Sequence, residues 1–143
     1  MYIKQISIYV ENTQGRLAEI TEIIAAQGID IRALSLADTT NFGILRLIVN
    51  KPYDAQKALT DAGYTVALTP VIAIGVPDTP GSLSKAIKLL SDNNINIEYM
   101  YAFVAKKQSQ AMSIIRVDDG DRALEVLKKS NISFFVDKDI DDI

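Results

Sequence analysis

Val10-Glu-Asn-Thr-Gln-Gly-Arg-Leu17 and Val76-Pro-Asp-Thr-Pro-Gly-Ser-Leu83 are one phrase written twice, 66 residues apart. The same offset lays Gly28-Ile-Asp-Ile31 over Asn94-Ile-Asn-Ile97, so Val10, Thr13, Gly15, Leu17, Ile29 and Ile31 all recur as identical residues. After a two-residue gap the offset becomes 68, and Val49, Ala55 and Leu59 fall on Val117, Ala123 and Leu127. Self-similarity over this length marks two copies of one supersecondary unit. The division expected is residues 1–70 and 71–143 of the 143-residue chain.

Each copy reads strand, helix, strand, strand, helix, strand. Tyr2 to Val10 alternates, with Ile6, Ile8 and Val10 on one face. Thr13 is placed to cap a helix whose apolar stripe is Leu17, Ile20, Ile23 and Ile24, and Gly28 ends it in a left-handed conformation. Ile31 to Ala37 and Phe42 to Val49 form a hairpin around Asp38-Thr-Thr-Asn41. Pro52 opens a second helix that Gly63 stops, and Tyr64 to Leu68 is the last strand. In the second copy Val71 to Val76 is the first strand. Thr79-Pro80 reads as a cap followed by proline at the first helical position. Leu83, Ala86, Ile87 and Leu90 form the stripe, and Asn94 takes the place of Gly28. Ile97 to Ala105 and Ala111 to Val117 pair across Lys106-Lys-Gln-Ser-Gln110. Asp121 to Ser130 is helical, Ser133 to Val136 closes the sheet, and the acidic tail from Asp137 to Ile143 reads as frayed. Leu17 and Leu83 are expected in the cores. The fold class is α+β: two tandem ferredoxin-like βαββαβ units, with antiparallel sheets and helices on one face.

Composition excludes much chemistry. The chain has no Cys and no His, so a thiol nucleophile, an imidazole base, a disulfide framework and a Cys/His zinc site are all absent. Only an all-oxygen metal site is left open, and no cofactor is implied. Fifteen Lys and Arg against 18 Asp and Glu leave no basic surplus for nucleic acid. No apolar run approaches the roughly 18 residues of a membrane span, so neither a membrane nor nucleic acid is expected as a partner. A cytoplasmic location is the default.

The repeated turn is the functional candidate. A helix start exposes unpaired backbone N–H groups and a partial positive charge, and Gly15 and Gly81 leave room for a small anion to reach them. A free amino acid offers a carboxylate for that spot. Its ammonium group would need acceptors such as Asn12 or Asp38 in the first copy and Asp78 in the second. The same motif is also ordinary helix-start chemistry, and Arg16 is equally readable as a solvated first-turn residue.

With these residues on the page, the chain resembles the ACT domain family. The resemblance rests on "GRLAEITEIIAAQGIDI" and "PGSLSKAIKLLSDNNINI", together with "IRALSLADTTNFGILRLIV" and "NIEYMYAFV". It extends over nearly the whole chain, twice, and is similar to stand-alone bacterial tandem-ACT proteins. The resemblance implies a small-molecule sensor, typically for a free amino acid, that regulates an enzyme of amino-acid metabolism. It implies a site where two ACT domains meet, the turn of one facing the second strand of the other. Carried over by position, it assigns Asn12, Gln14, Gly15, Arg16 and Leu17, with Asp78, Thr79, Pro80, Gly81 and Ser82 in the sister turn. The facing strand material is Leu36, Ala37 and Asp38, and Tyr99, Met100 and Tyr101, with Phe42, Gly43 and Ile44 at the same interface. Tyr99 and Tyr101 read more readily as core or subunit contacts than as ligand contacts. A homodimer is expected by the same analogy.

Pro80 removes one backbone donor and Ser82 replaces Arg16, so the two turns are not expected to bind one ligand equally. Two other readings compete with the sensor. One is a regulatory subunit that acts mainly by docking on a biosynthetic enzyme. The other is an acyl-phosphate hydrolase on the same plait. The hydrolase lacks its glycine-rich loop, and no pair of catalytic carboxylates is singled out here. The expected function is therefore non-catalytic.

Overall fold

In the computed structural model, which describes residues 1–11, 13–38, 41–104, 110–130 and 132–142, both copies of the quoted phrase form one strand-turn-helix device. Strand β1 (Ile3–Glu11) leads to helix α1 (Arg16–Ala26), and strand β4 (Val66–Pro77) leads to helix α3 (Ser82–Asp92). Gly15 and Gly81 precede the two helices at φ 89°, with ψ −10° and −11°. Neither Thr13 nor Thr79 caps its helix, contrary to the sequence reading. The left-handed glycine occupies the cap position, and no side chain caps either helix. Pro80 therefore precedes the cap, and the Thr79 hydroxyl lies 2.7 Å from that of Ser82.

The remaining elements are β2 (Ile31–Asp38), β3 (Phe42–Val49), α2 (Pro52–Asp61), β5 (Ile97–Val104), β6 (Gln110–Val117), α4 (Gly120–Lys129) and β7 (Ser133–Phe135). The chain folds as two compact units, Lys4–Thr69 and Pro70–Ile143, the latter with Met1–Ile3. The first unit orders its strands β2-β3-β1-β4 and the second β5-β6-β4-β7. Both are antiparallel hairpin sheets of the ferredoxin-like kind.

Strand pairing repeats along with the sequence. Ile6 pairs with Leu47 and Val10 with Gly43, as Ile72 pairs with Ile115 and Val76 with Ala111. A register irregularity falls between Ile31 and Ala33 and again between Ile97 and Tyr99. Before each irregularity a backbone amide is held by a side chain. Asp30 donates to Asn50 and Asn96 donates to Asp118, both at 3.0 Å. The Asp and Asn have exchanged places between copies, and the bond has survived because either side chain supplies the accepting oxygen.

The cores repeat as well. Ile6, Ile8, Val10, Ile20, Ile24, Ile29, Leu45, Leu47, Val49, Ala55 and Leu59 pack under α1 and α2. Ile72, Ile74, Val76, Ala86, Leu90, Ile95, Ile115, Val117, Ala123 and Leu127 pack under α3 and α4. Burying one such Leu or Ile is worth about 1.5–3 kcal/mol. The offset of 68 carries Leu45 to Ser113, where the apolar pattern breaks. Ser113 is fully buried, and its hydroxyl has no hydrogen-bond partner among the described residues.

Three expectations differ from the structure. The expected strands Tyr64–Leu68 and Val71–Val76 are one 12-residue strand, β4, which begins at Val66 and leaves out Tyr64 and Thr65. Thr69-Pro70 does not interrupt it, because the residue before proline already favours extended backbone. The Pro70 carbonyl accepts from Arg116 Nη1 at 2.7 Å. The acidic tail is not frayed over its described length. Residues Asp137–Asp142 form a 3-10 helix, Ile140 is 4% exposed, and Asp139 accepts from the Val136 amide at 2.8 Å. Leu17 is not core, at 37% exposure, whereas Leu83 packs against the second core. The turn residues Thr39 and Thr40 and most of the polar loop, residues 105–109, lie outside the described residues.

Two outcomes test this architecture. Gly15→Ala and Gly81→Ala each force a Cβ into left-handed backbone and should each cost about 1–2 kcal/mol in urea unfolding. A neutral substitution at either position contradicts the shared turn. Ser113→Ala removes an unpaired buried hydroxyl and should raise stability by about 1 kcal/mol, whereas a loss of that size would show that the hydroxyl is satisfied.

Candidate functional site

The first-unit turn opens on a cleft of about 300 Å³ lined by Val10, Glu11, Thr13, Gly15, Arg16, Leu17, Ala18, Leu36, Asp38 and Gly43. Every wall comes from the N-terminal unit. The end of β1 supplies Val10 and Glu11, the first turn of α1 supplies Arg16 to Ala18, and the β2–β3 hairpin supplies Leu36, Asp38 and Gly43. The sheet register fixes the floor, because Gly43 pairs with Val10 on one side and Asp38 on the other. A Cβ on Gly43 would come within 3.3 Å of the Leu36 Cδ1 and 3.5 Å of the Ala37 carbonyl. Glycine keeps this floor low.

Charge in the cleft has three sources. The start of α1 presents amides with no capping side chain and the positive end of the helix dipole. Arg16 contributes a guanidinium, and Glu11 and Asp38 contribute carboxylates. Arg16 reaches Glu11 at 3.9 Å and Glu19 at 3.6 Å, and all three side chains are about half exposed or more. Ion pairs this long and exposed are worth about 0–1 kcal/mol, so a competing carboxylate can draw Arg16 away.

Arg16 also borders a second cleft of about 310 Å³, lined by Tyr9, Glu11, Glu19, Phe42, Ala62, Gly63, Tyr64 and Thr65. The Tyr64 hydroxyl is buried there, beside Glu19 and Arg16. Burial, and then the neighbouring Glu19, push its pKa above 10, against a smaller opposing pull from Arg16. Arg16 thus stands on the wall between two clefts.

The first cleft gathers Gly15, Arg16, Leu17, Leu36, Asp38 and Gly43 from the residues expected. Gln14 is exposed in the turn and does not line it, and Asn12 lies outside the described residues. Ala37 sits between Leu36 and Asp38 in an extended strand and takes the opposite face. Asp78, Thr79, Pro80, Gly81 and Ser82 form the second-unit turn. Tyr99, Met100 and Tyr101 lie in β5 of that unit, where Met100 packs against the second core. The pattern did not single out Val10, Glu11, Thr13 or Ala18 as lining residues. Glu11 and Thr13 stand inside the repeated phrase, which was their only signal.

The second unit keeps the turn, loses three of the charges and carries Asp78 where the first has Asn12. By offset and by strand register, Glu11, Arg16, Leu36, Asp38 and Gly43 correspond to Pro77, Ser82, Ala102, Val104 and Ala111. Asp38 opposite Gly43 becomes Val104 opposite Ala111. Among the described residues, no group of three or more Asp and Glu is placed to hold a metal ion. No helix there is long and apolar enough to cross a membrane.

Known proteins share this architecture. The crystal structure of protein BT0572 from Bacteroides thetaiotaomicron matches with a TM-score of 0.93 and 40% identity, covering 100% of this chain and 98% of that one. The regulatory subunit of aspartate kinase from Thermus thermophilus, in a ligand-free form, matches with a TM-score of 0.62 over 90% of this chain and 92% of that one. At 20% identity that likeness is one of fold. The aspartokinase of Corynebacterium efficiens is 31% identical over 77 residues, which is 52% of this chain and 18% of that protein. The chain thus spans less than a fifth of that relative's length. The family model for the ACT domain pair matches residues 1–143, and the chain belongs to that family.

Proposed function

We propose that this ACT domain pair is a non-catalytic sensor that binds one free α-amino acid in the first-unit cleft. The observation that carries the reading is the meeting, in one cleft, of an uncapped helix start with Arg16, Asp38 and a glycine floor. An α-amino acid is a zwitterion, and the cleft offers a partner to each end. The carboxylate is matched by the first amides of α1 and by Arg16, as anions are at helix starts generally. The ammonium group is matched by Asp38. Pro77, Ser82 and Val104 offer none of these charges, so the second turn is a structural copy in this reading.

The wider role follows from the company the fold keeps. ACT-type regulatory subunits and aspartokinase among the relatives support control of an enzyme of amino-acid metabolism, in the cytoplasm, by a ligand-dependent contact. The 1–70 and 71–143 division into two ACT domains is part of the same proposal. Pairing of two chains is supported by β2, which ends the sheet order of its unit and carries Leu34 at 53% exposure. A second copy laid along that edge would complete the cleft between ACT domains. Sedimentation at one chain's mass, with and without ligand, would exclude this pairing.

Thermal unfolding of the full chain with each of the twenty amino acids tests the central reading. Ligand at 100 times its dissociation constant adds about 2.7 kcal/mol of stability. Asp38→Asn should weaken the shift while leaving the unliganded chain as stable as before, and Ser82→Ala should leave the shift unchanged. The absence of any shift at millimolar concentrations would overturn the proposal.

A further inference from the structure

We infer that the ligand of the first-unit cleft carries an uncharged, predominantly apolar side chain. This rests on the reading of the cleft as an amino-acid site and goes beyond it to selectivity. The argument begins with the charges. Asp38 and the helix start are taken by the ammonium and carboxylate of the ligand. Glu11 and Arg16 remain, and they face one another at 3.9 Å. Once Arg16 has turned to the ligand carboxylate, the cleft holds no surplus cation for an acidic side chain. A basic side chain finds only Glu11, whose side chain is 65% exposed, where an ion pair adds little.

Apart from Thr13, the rest of the wall is apolar. Val10, Leu17, Ala18 and Leu36 form it, with Gly43 as the floor. Two of these residues have an exposure that their chemistry does not favour. Leu17 is 37% exposed on the first turn of α1, and Leu36 is 49% exposed on β2, with the cleft between them. In the second unit Leu83 packs against its core, so the exposure of Leu17 belongs to the first unit and not to the repeat. An apolar side chain entering between Leu17 and Leu36 removes both from water, and this gain is specific to an apolar ligand. At about 300 Å³ the cleft lies at the small end of ligand sites, which suits one amino acid.

Gly43 and Leu36 then set the room available. A Cβ at residue 43 meets Leu36 Cδ1 at 3.3 Å and pushes it into the space the ligand side chain needs. Leu36→Asp places a carboxylate in the same wall. Leu36 is 49% exposed and Gly43 is buried against the end of the Leu36 side chain, so unfolding curves check that both variants fold.

The experiment is calorimetric titration of the full chain and of Leu36→Asp and Gly43→Ala. The ligands are leucine, isoleucine, valine, methionine, phenylalanine, alanine, lysine, arginine, aspartate and glutamate. Wild type should bind its best apolar ligand at least about tenfold more tightly than any charged amino acid. Leu36→Asp should shift preference toward lysine or arginine. Gly43→Ala should weaken the larger apolar ligands more than alanine. A charged amino acid as the best wild-type ligand would overturn the inference and leave the amino-acid site standing. No binding by any member of the series, together with no shift among the twenty amino acids, would remove both. Apolar preference untouched by either variant would show that Leu36 and Gly43 do not form the selecting wall, and would overturn the inference on those grounds.

Discussion

A glycine at φ 89° between a strand and a helix is the constraint on which both units depend. Left-handed backbone at this point reverses the chain within a few residues and returns the helix over the sheet it has just left. Glycine adopts that conformation without a Cβ penalty. The same residue leaves the helix without a capping side chain: the first amide turns back to a threonine carbonyl, Arg16 to Thr13 at 3.4 Å and Ser82 to Thr79 at 3.2 Å, and the amides after it have no side-chain cap. In the proposed reading, fold and recognition therefore draw on one feature. Its appearance in both units with dihedrals equal to within a degree shows that the geometry is needed for folding. The geometry alone does not make a ligand site.

What separates the two units is the chemistry set around that turn. The scaffold is held in duplicate: two isoleucine- and leucine-rich cores, two strand irregularities, and two side-chain bridges in which Asp and Asn have traded places. Such exchanges keep a function of the fold while letting the residue change. Around the first turn stand Glu11, Arg16 and Asp38, and at the matching places of the second stand Pro77, Ser82 and Val104. No exchange of that kind preserves charge. In the proposed reading, duplication frees one copy to be structural while the other keeps polar groups that add little to stability.

Much of this was legible in the sequence because the repeat gives each unit a second witness. Phe42–Val49 begins and ends as its alternation says, and Pro52 opens α2 because proline suits the first helical position. The failures have local causes. Thr13 and Thr79 looked like caps because threonine often is one, and only the backbone shows that the glycine two residues later has taken the position. Two apolar runs separated by Thr69-Pro70 looked like two strands, yet proline needs no bend where its missing donor is not required. The tail looked frayed from its charges, and one buried side chain, Ile140, anchors it. Leu17 looked like core because it continues the helical stripe, but it lies on the rim of a cleft whose other wall comes from Leu36. The turn half of the site was readable from local spacing. The Asp38–Gly43 half depended on hairpin register, which spacing alone does not fix.

The account rests on the claim that one turn of the two recognises a metabolite. Backbone amide shifts of the isotope-labelled full chain, followed during titration with its best amino-acid ligand, address that claim most directly. The largest shifts should fall on Gly15 to Ala18, Leu36, Asp38 and Gly43, with Gly81 to Leu83 close to their unliganded positions. Shifts centred on Gly81 to Leu83, or equal at both turns, would contradict it.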